Sequence, residues 1–383
     1  MYVYADNAAS TRLSDSTEEV MEKCFFEIYG NPSGIHRSGR KAKSMLERAR
    51  AEIARTIKAE PEGIYFTSGG TESDNWAVRI AESVGMKTGK KHIISTRIEH
   101  NAVRKPLENL KEKGFHITFI RPMANGIINP SDFEKAIRPD TVFASVMYAN
   151  NVVGTIQPIR EIGRICRKSG IIFHTDAVQA IGHIPVDVRA GYIDLLSASA
   201  HKFHGPKGTG FLYCGRPEIM EPFILGGGQE RSMRSGTENV PGICGMSEAL
   251  AESAENMAEE SAYVKKLRKI IENTVYKIKG ASINGSLKSR LPGNLNVSFA
   301  DVSGQSLLKM LDAEGICVSA ASACSAGSSE PNFVLESIGI PAEEAKNSIR
   351  ITLSVYNTED EARYICAKLK ESVEKLQKLK REF

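Results

Sequence analysis

DLLSASAHKFHGPKGTG, residues 194–210, decides how the rest of this chain is read. The apolar pair Leu195-Leu196 opens a strand, and the small residues Ser197, Ala198, Ser199 and Ala200 carry it to His201, Lys202 and Phe203. A Gly205-Pro206-Lys207-Gly208 turn follows. A lysine set among small residues at a strand end is not placed like a surface lysine. Burial disfavours the charged ammonium, and a partly neutral amine can form a Schiff base with a carbonyl. Taken alone, in a chain with 50 Lys+Arg, Lys202 could equally be a solvated lysine beside a turn. GPKGTG could also be a phosphate loop, but it lacks the G-x-x-x-x-G-K-[ST] spacing of one. The other strand ends decide.

Outward from this stretch, strand patterns alternate with helical ones. IYFTS (64–68), HIIST (92–96), FHITFI (115–120), TVFASVMY (141–148), GIIFHT (170–175) and GFLYC (210–214) read as strands. Residues 14–28 and 38–58 read as helices, the second with Ala42, Leu46, Ala49, Ile53 and Ile57 recurring every three or four places. Thr71, with Asp74 three places on, reads as the cap of another helix. This alternation predicts an α/β fold with a mostly parallel central sheet covered on both faces. After Pro241 the pattern changes to a long helix (243–278), then strands at 295–300, 316–320 and 348–354, and a charged helix over 358–380. The expected division is a large α/β domain over 15–254, with 255–383 and the N-terminal 1–14 forming a smaller α+β domain.

Composition narrows the function classes. Of 383 residues, 41% are hydrophobic and 25% charged, as in ordinary globular proteins. The net charge of +4 is too balanced for a nucleic-acid binder, and no basic block with interleaved aromatics occurs. No apolar run reaches membrane-spanning length, and MYVYADNAAS carries neither the basic nor the apolar region of a signal peptide. The seven cysteines form no C-x-x-C pair, so reduced thiols in a cytoplasmic protein are expected, with no metal site.

Ligands of open α/β sheets sit at the carboxyl ends of the strands. The polar residues at those ends are Thr71, His100, Asn151, Asp176 with Gln179, and Lys202. Each has a plain structural reading: a helix cap, a turn residue, a loop histidine. Together they match pyridoxal phosphate, which needs a lysine for its aldimine and an acid against the pyridine nitrogen. Lys202 supplies the first and Asp176 the second. Backbone N–H groups at Gly70 and Thr71 form an anion site at a helix start, with Ser199 and His201 within reach of the same phosphate. Asn151 and Gln179 are placed for the ring hydroxyl and His100 for the ring face.

The motifs YADNAAST (4–11), GNPSGIHRSGR (30–40), FTSGGTESDN (66–75), EHNAV (99–103), ANNVVGTIQPI (149–159), HTDAVQA (174–180), SAHKFHGPKG (199–208), GGGQERSMRSGT (226–237), SAASACSAG (319–327) and SIRITLS (348–354) stand in this order. The chain thereby resembles, nearly end to end, the NifS/IscS-type cysteine desulfurases of the fold type I pyridoxal-phosphate enzymes. The resemblance implies sulfur removal from L-cysteine, giving alanine and an enzyme-bound persulfide. It implies catalytic roles for Lys202, His100 and Cys324, cofactor contacts at Gly70, Thr71, Asn151, Asp176, Gln179, Ser199 and His201, and Arg350 as the clamp on the substrate carboxylate. Asn151 and Asn31 are further substrate contacts on this resemblance. Thr237 would reach the cofactor of a neighbouring subunit, which implies a homodimer, and an iron–sulfur scaffold protein or another sulfur acceptor is the expected partner. Val152 departs from the family, which usually has an acidic residue there.

Selenocysteine lyases and aminotransferases of the same fold are the alternative, and they need no persulfide cysteine. VSAASACSAGSSEPN (318–332) favours the desulfurase. Cys324 lies there among Ser, Ala and Gly, a composition that cannot bury enough surface to offset its ordering entropy, so the segment is expected to be mobile. Cys317, within the apolar ICV, fits a structural cysteine better.

Overall fold

The computed structural model describes residues 1–320 and 333–382. Phe383 and the stretch 321–332, with Cys324 in it, lie outside the described residues.

A seven-stranded sheet forms the centre, in the order Ile64–Thr67, Gly210–Cys214, Leu195–Ser199, Ile172–Asp176, Thr141–Ser145, His92–Thr96, His116–Ile120. Gly210–Cys214 runs antiparallel to both its neighbours and every other pairing is parallel. Most of these strands are buried along their whole length, as near-continuous apolar runs require when helices cover both faces. On one face, Ala42, Leu46, Ala49, Ile53 and Ile57 of the helix Arg37–Ile57 are buried, on the stripe expected from their spacing. On the other, Trp76, Ala77, Ile80 and Ala81 of the helix Gly70–Thr88 join Val103 and Leu107 of Asn101–Glu112. Strand order reverses between His92–Thr96 and Thr141–Ser145, which opens a crevice at their carboxyl ends.

A second core surrounds a four-stranded antiparallel sheet in the order Ser319–Ala320, Ser348–Thr352, Asn294–Phe299, Ala281–Asn284. Val3 and Ala5 belong to this core, and Val3–Tyr4 pairs in parallel with Ile316–Cys317. The 36-residue helix Val240–Val275 serves both cores, with Ile243, Met246, Ala249 and Leu250 in the first and Val264, Leu267, Ile271 and Val275 in the second.

Two local expectations are corrected. Thr71 is not the cap of its helix: the N-cap is Gly69, at φ 149°, and Gly70 is already helical. The strand Ala281–Asn284 was not anticipated, because the edge sequence ASIN is short and only partly buried. Among the described residues, no helix is long and apolar enough to cross a membrane, and no three His, Cys, Asp or Glu side chains converge to hold a metal.

Candidate active site

A cleft of about 610 Å³ opens where the strand ends of the large sheet meet the strand Ser348–Thr352. Its lining includes Gly70, Thr71, His100, Asn151, Asp176, Gln179, Ser199, His201, Lys202 and Arg350, so ten of the residues singled out in the sequence converge. Thr237 and Asn31 do not line the cleft of their own chain. Both are exposed, and Asn31 Oδ1 accepts from Ser33 N at 2.9 Å in a local turn.

Lys202 ends a single helical turn, Ala200–Lys202, that continues the strand Leu195–Ser199. Its Nζ donates to the carbonyls of Ala8 (2.8 Å) and Ala9 (2.7 Å), and His183 Nε2 holds its carbonyl at 2.8 Å. His204 follows at φ 66°, and the turn closes so tightly that a Cβ on Gly205 would meet Ala200 Cβ at 2.9 Å. Burial and the neighbouring ammonium groups of Lys202 and Lys207 bring His201 down to about 4, so its imidazole is neutral near pH 7.

Asp176 closes the buried end of the cleft and is 5% exposed. Burial pushes its carboxyl up, while His100, the Val178 N–H (2.9 Å to Oδ1) and Lys202 pull it down. Behind it lies Asp74, also buried and pushed well above the carboxylate range by burial and by Asp176. Asp74 faces His174 Nε2 at 3.6 Å, but burial lowers His174 to about 3, so no cation compensates there.

His100 caps the helix Asn101–Glu112 by accepting from Ala102 N at Nδ1 (3.1 Å). Its Nδ1 is thereby committed to the backbone as an acceptor. The residue before it, Glu99, is wholly buried and raised to about 8, chiefly by burial. The start of the helix Gly70–Thr88 has no side-chain cap. Its first amides are anion donors at the positive end of the helix dipole. A Cβ on Gly70 would come within 2.6 Å of Val178 Cγ2, so the close approach of backbone at this cradle requires glycine.

Arg350 is 1% exposed and enters the cleft from the small-domain strand. Its Nη1 donates to Asn151 O at 3.1 Å and its Nη2 pairs with Asp6 Oδ1 at 2.7 Å. Asp6, the Ala8 and Ala9 carbonyls and Val178 were missed as site groups. The only signal for Asp6 was a polar Asp6-Asn7 pair among alanines. Val152 packs in an apolar cluster with Ile98, Met147 and Leu335, so packing stands where the family's acidic side chain would be.

An amine, a buried acid, an imidazole and an uncapped helix start around one cleft define a cofactor-dependent enzyme of the fold type I class. The chain belongs to the class-V aminotransferase family, whose model matches residues 3–365. Within it, the chain stands with the NifS/IscS-type cysteine desulfurases. It is similar to a cysteine desulfurase IscS of Dictyoglomus turgidum, 45% identical over 375 residues, which are 98% of this chain and 95% of that protein. Among solved structures it is similar to a NifS-like protein, at TM-score 0.92 and 39% identity, covering 98% of this chain and all of that one. It is also similar to SspA, solved in complex with cysteine, at TM-score 0.82 and 35% identity over 93% of this chain and all of that one. Family members depend on pyridoxal 5'-phosphate, and the glycine cradle, the buried acid and the lysine fit that group.

Proposed function

We propose that this cleft takes sulfur from L-cysteine, releases L-alanine and leaves the sulfur on Cys324 as a persulfide. The carrying observation is the convergence of Lys202, Asp176, His100 and Arg350 on one cleft. Bound pyridoxal phosphate supplies an electron sink for the carbanion at the substrate Cα. Gly70, Thr71, Ser199 and His201 hold its phosphate, and Asn151 and Gln179 its ring hydroxyl. Asp176, its carboxyl pushed up by burial, would face the pyridine nitrogen and hold the proton there. Arg350 binds the substrate carboxylate with fixed N–H donors.

Lys202 Nζ removes the Cα proton, and His100 exchanges the substrate thiol proton through Nε2. The Cys324 thiolate attacks the substrate sulfur. The Cβ–S electron pair stays with carbon, which is protonated to the methyl group of alanine, and Lys202 returns a proton to Cα. Four of the other thiols suit this attack poorly. Burial pushes Cys166 and Cys366 up and Cys214 up to about 12, and a thiol, unlike a thiolate, is a weak nucleophile. Cys317 is half-buried and donates to the Tyr2 hydroxyl at 3.5 Å.

The same reading makes the working unit a homodimer. Thr237 is exposed outside its own cleft, and Phe25, Phe26, Tyr29, Ile35 and Leu225 leave large apolar side chains uncovered. The persulfide then passes to an iron–sulfur scaffold protein or another acceptor in the cytoplasm. The test is purified protein with L-cysteine, assayed for alanine and sulfide with and without reductant. Equal alanine and sulfide with reductant support the reading, and no alanine overturns it.

A further inference from the structure

The chain start is absorbed by no step above, yet it touches both halves of the cleft. Asn7 Nδ2 donates to Thr352 O at 2.8 Å and Ala8 N to Thr352 Oγ1 at 2.9 Å, which ties it to the strand carrying Arg350. Ala8 and Ala9 offer their carbonyls to Lys202. Immediately before them, Asp6 Oδ1 meets Arg350 Nη2 at 2.7 Å, and its Oδ2 accepts from Ser319 Oγ at 2.7 Å. Both oxygens are therefore engaged, and the carboxylate has little freedom to turn.

A guanidinium has five N–H donors in a rigid plane. In Arg350, one on Nη1 goes to Asn151 O and one on Nη2 to Asp6. Nε is buried and has no acceptor among the described residues. A buried donor without a partner is costly, and the cleft that Arg350 lines is where an acceptor can enter. The two contacts fix the plane of the guanidinium at its Nη atoms and leave Nε–H, with the second Nη2 proton, as a side-on fork. Such a fork matches a carboxylate bidentately.

We propose that Asp6 is a positioning residue for substrate recognition: it fixes the Arg350 fork in the orientation that receives the α-carboxylate of the amino-acid substrate. The proposal rests on the desulfurase reading of the cleft. Two effects of Asp6 oppose each other. Its negative charge weakens the pull of Arg350 on an incoming anion, and its geometry removes beforehand the rotamer freedom that a long side chain would otherwise lose on binding. Geometry dominates here, because the guanidinium is almost fully buried and an unpaired buried cation turns toward whatever acceptor it can reach.

Two conservative variants separate position from charge. In Asp6→Asn, the amide oxygen still accepts from Nη2 and the amide NH₂ can donate to Ser319 Oγ, so position is kept and charge lost. In Asp6→Glu, charge is kept and the carboxylate is displaced by one methylene. With the holoenzymes, Asp6→Glu should raise KM for L-cysteine about tenfold with kcat within about threefold, the signature of lost binding common to ground and transition states. The Kd for L-alanine, read from the cofactor absorbance, should rise in parallel. Asp6→Asn should stay within about threefold of wild type in both. Wild-type constants for Asp6→Glu, or equal losses in the two variants, overturn the proposal. A wild type that makes no alanine from L-cysteine would instead overturn the reading it rests on.

Discussion

Lys202 Nζ donates to the carbonyl oxygen of Ala8 at 2.8 Å, across 194 positions of sequence. The contact is part of a wider seam: Thr11 N donates to His201 O at 2.9 Å and His204 N to Thr11 Oγ1 at 2.8 Å. The chain start thus walls the lysine turn on one side, while the strand Leu195–Ser199 delivers it from the other. A single lysine is positioned by both, which makes it the amine to test first.

Reduction of the holoenzyme with borohydride should fix the pyridoxyl group on the peptide containing Lys202. Lys202→Ala should lose turnover by a factor of at least about 10³ while still retaining cofactor non-covalently, since the glycine cradle and Asp176 are untouched. Peptide mapping that finds the label on another lysine contradicts the assignment.

Glu99 gives the fold a pH dependence of known sign. Burial raises its folded value from 4.5 to about 8. Between these values the folded chain keeps a proton that the unfolded chain has released. Its stabilising contribution is therefore full below about pH 4.5 and is lost as pH rises through 8. Glu99→Gln has no such proton, so from pH 5 to 8 its stability should gain on wild type by up to about 1.4 kcal/mol per pH unit. Asp74 and Asp176 slope the same way, and because the Glu99 charge itself helps to raise Asp74, that part of the slope weakens in the variant as well. Urea unfolding of the two proteins at several pH values reads the difference, and a constant difference contradicts the buried, protonated state of Glu99.

The loop 226–237 depends on one buried ion pair. Glu230, Arg231 and Ser232 stand at φ 46°, 56° and 66°, a left-handed run that costs about 1–2 kcal/mol per residue for side chains with a Cβ. Glu230 is held by Arg50 through two bonds of 2.7 and 2.9 Å and accepts from Phe66 N at 2.8 Å. Both side chains are about 5% exposed or less. Glu230→Ala should cost about 3–5 kcal/mol, because it leaves the buried Arg50 with only the exposed Glu47 carboxylate as counter-charge. A urea midpoint close to that of wild type would mean that this pair does not hold the loop.

The parts of this architecture that could be read before the structure share one property: they are local or periodic. The alternation of apolar runs with helical stripes places the strands, and a polar residue just past each run places Asp176, His100 and Lys202 at the strand ends. Groups whose role arises from a distant contact were not readable. Asp6 meets Arg350 across 344 positions, and the Ala8 and Ala9 carbonyls carry no side-chain signal at all. Thr71 was misread as a cap because the helix begins at a glycine conformation, φ 149° at Gly69, that sequence does not display.

In the proposed reaction, sulfur leaves the substrate for Cys324. Cys324→Ser should keep its cofactor and still bind L-cysteine, with the absorbance change that binding produces, but form no persulfide and little alanine; Cys317→Ser should remain active. The most direct measurement is mass spectrometry of wild-type protein after a short pulse of L-cysteine, without reductant. One added sulfur is expected on the peptide containing Cys324. Added sulfur on any other cysteine, or alanine produced with none on Cys324, would contradict it.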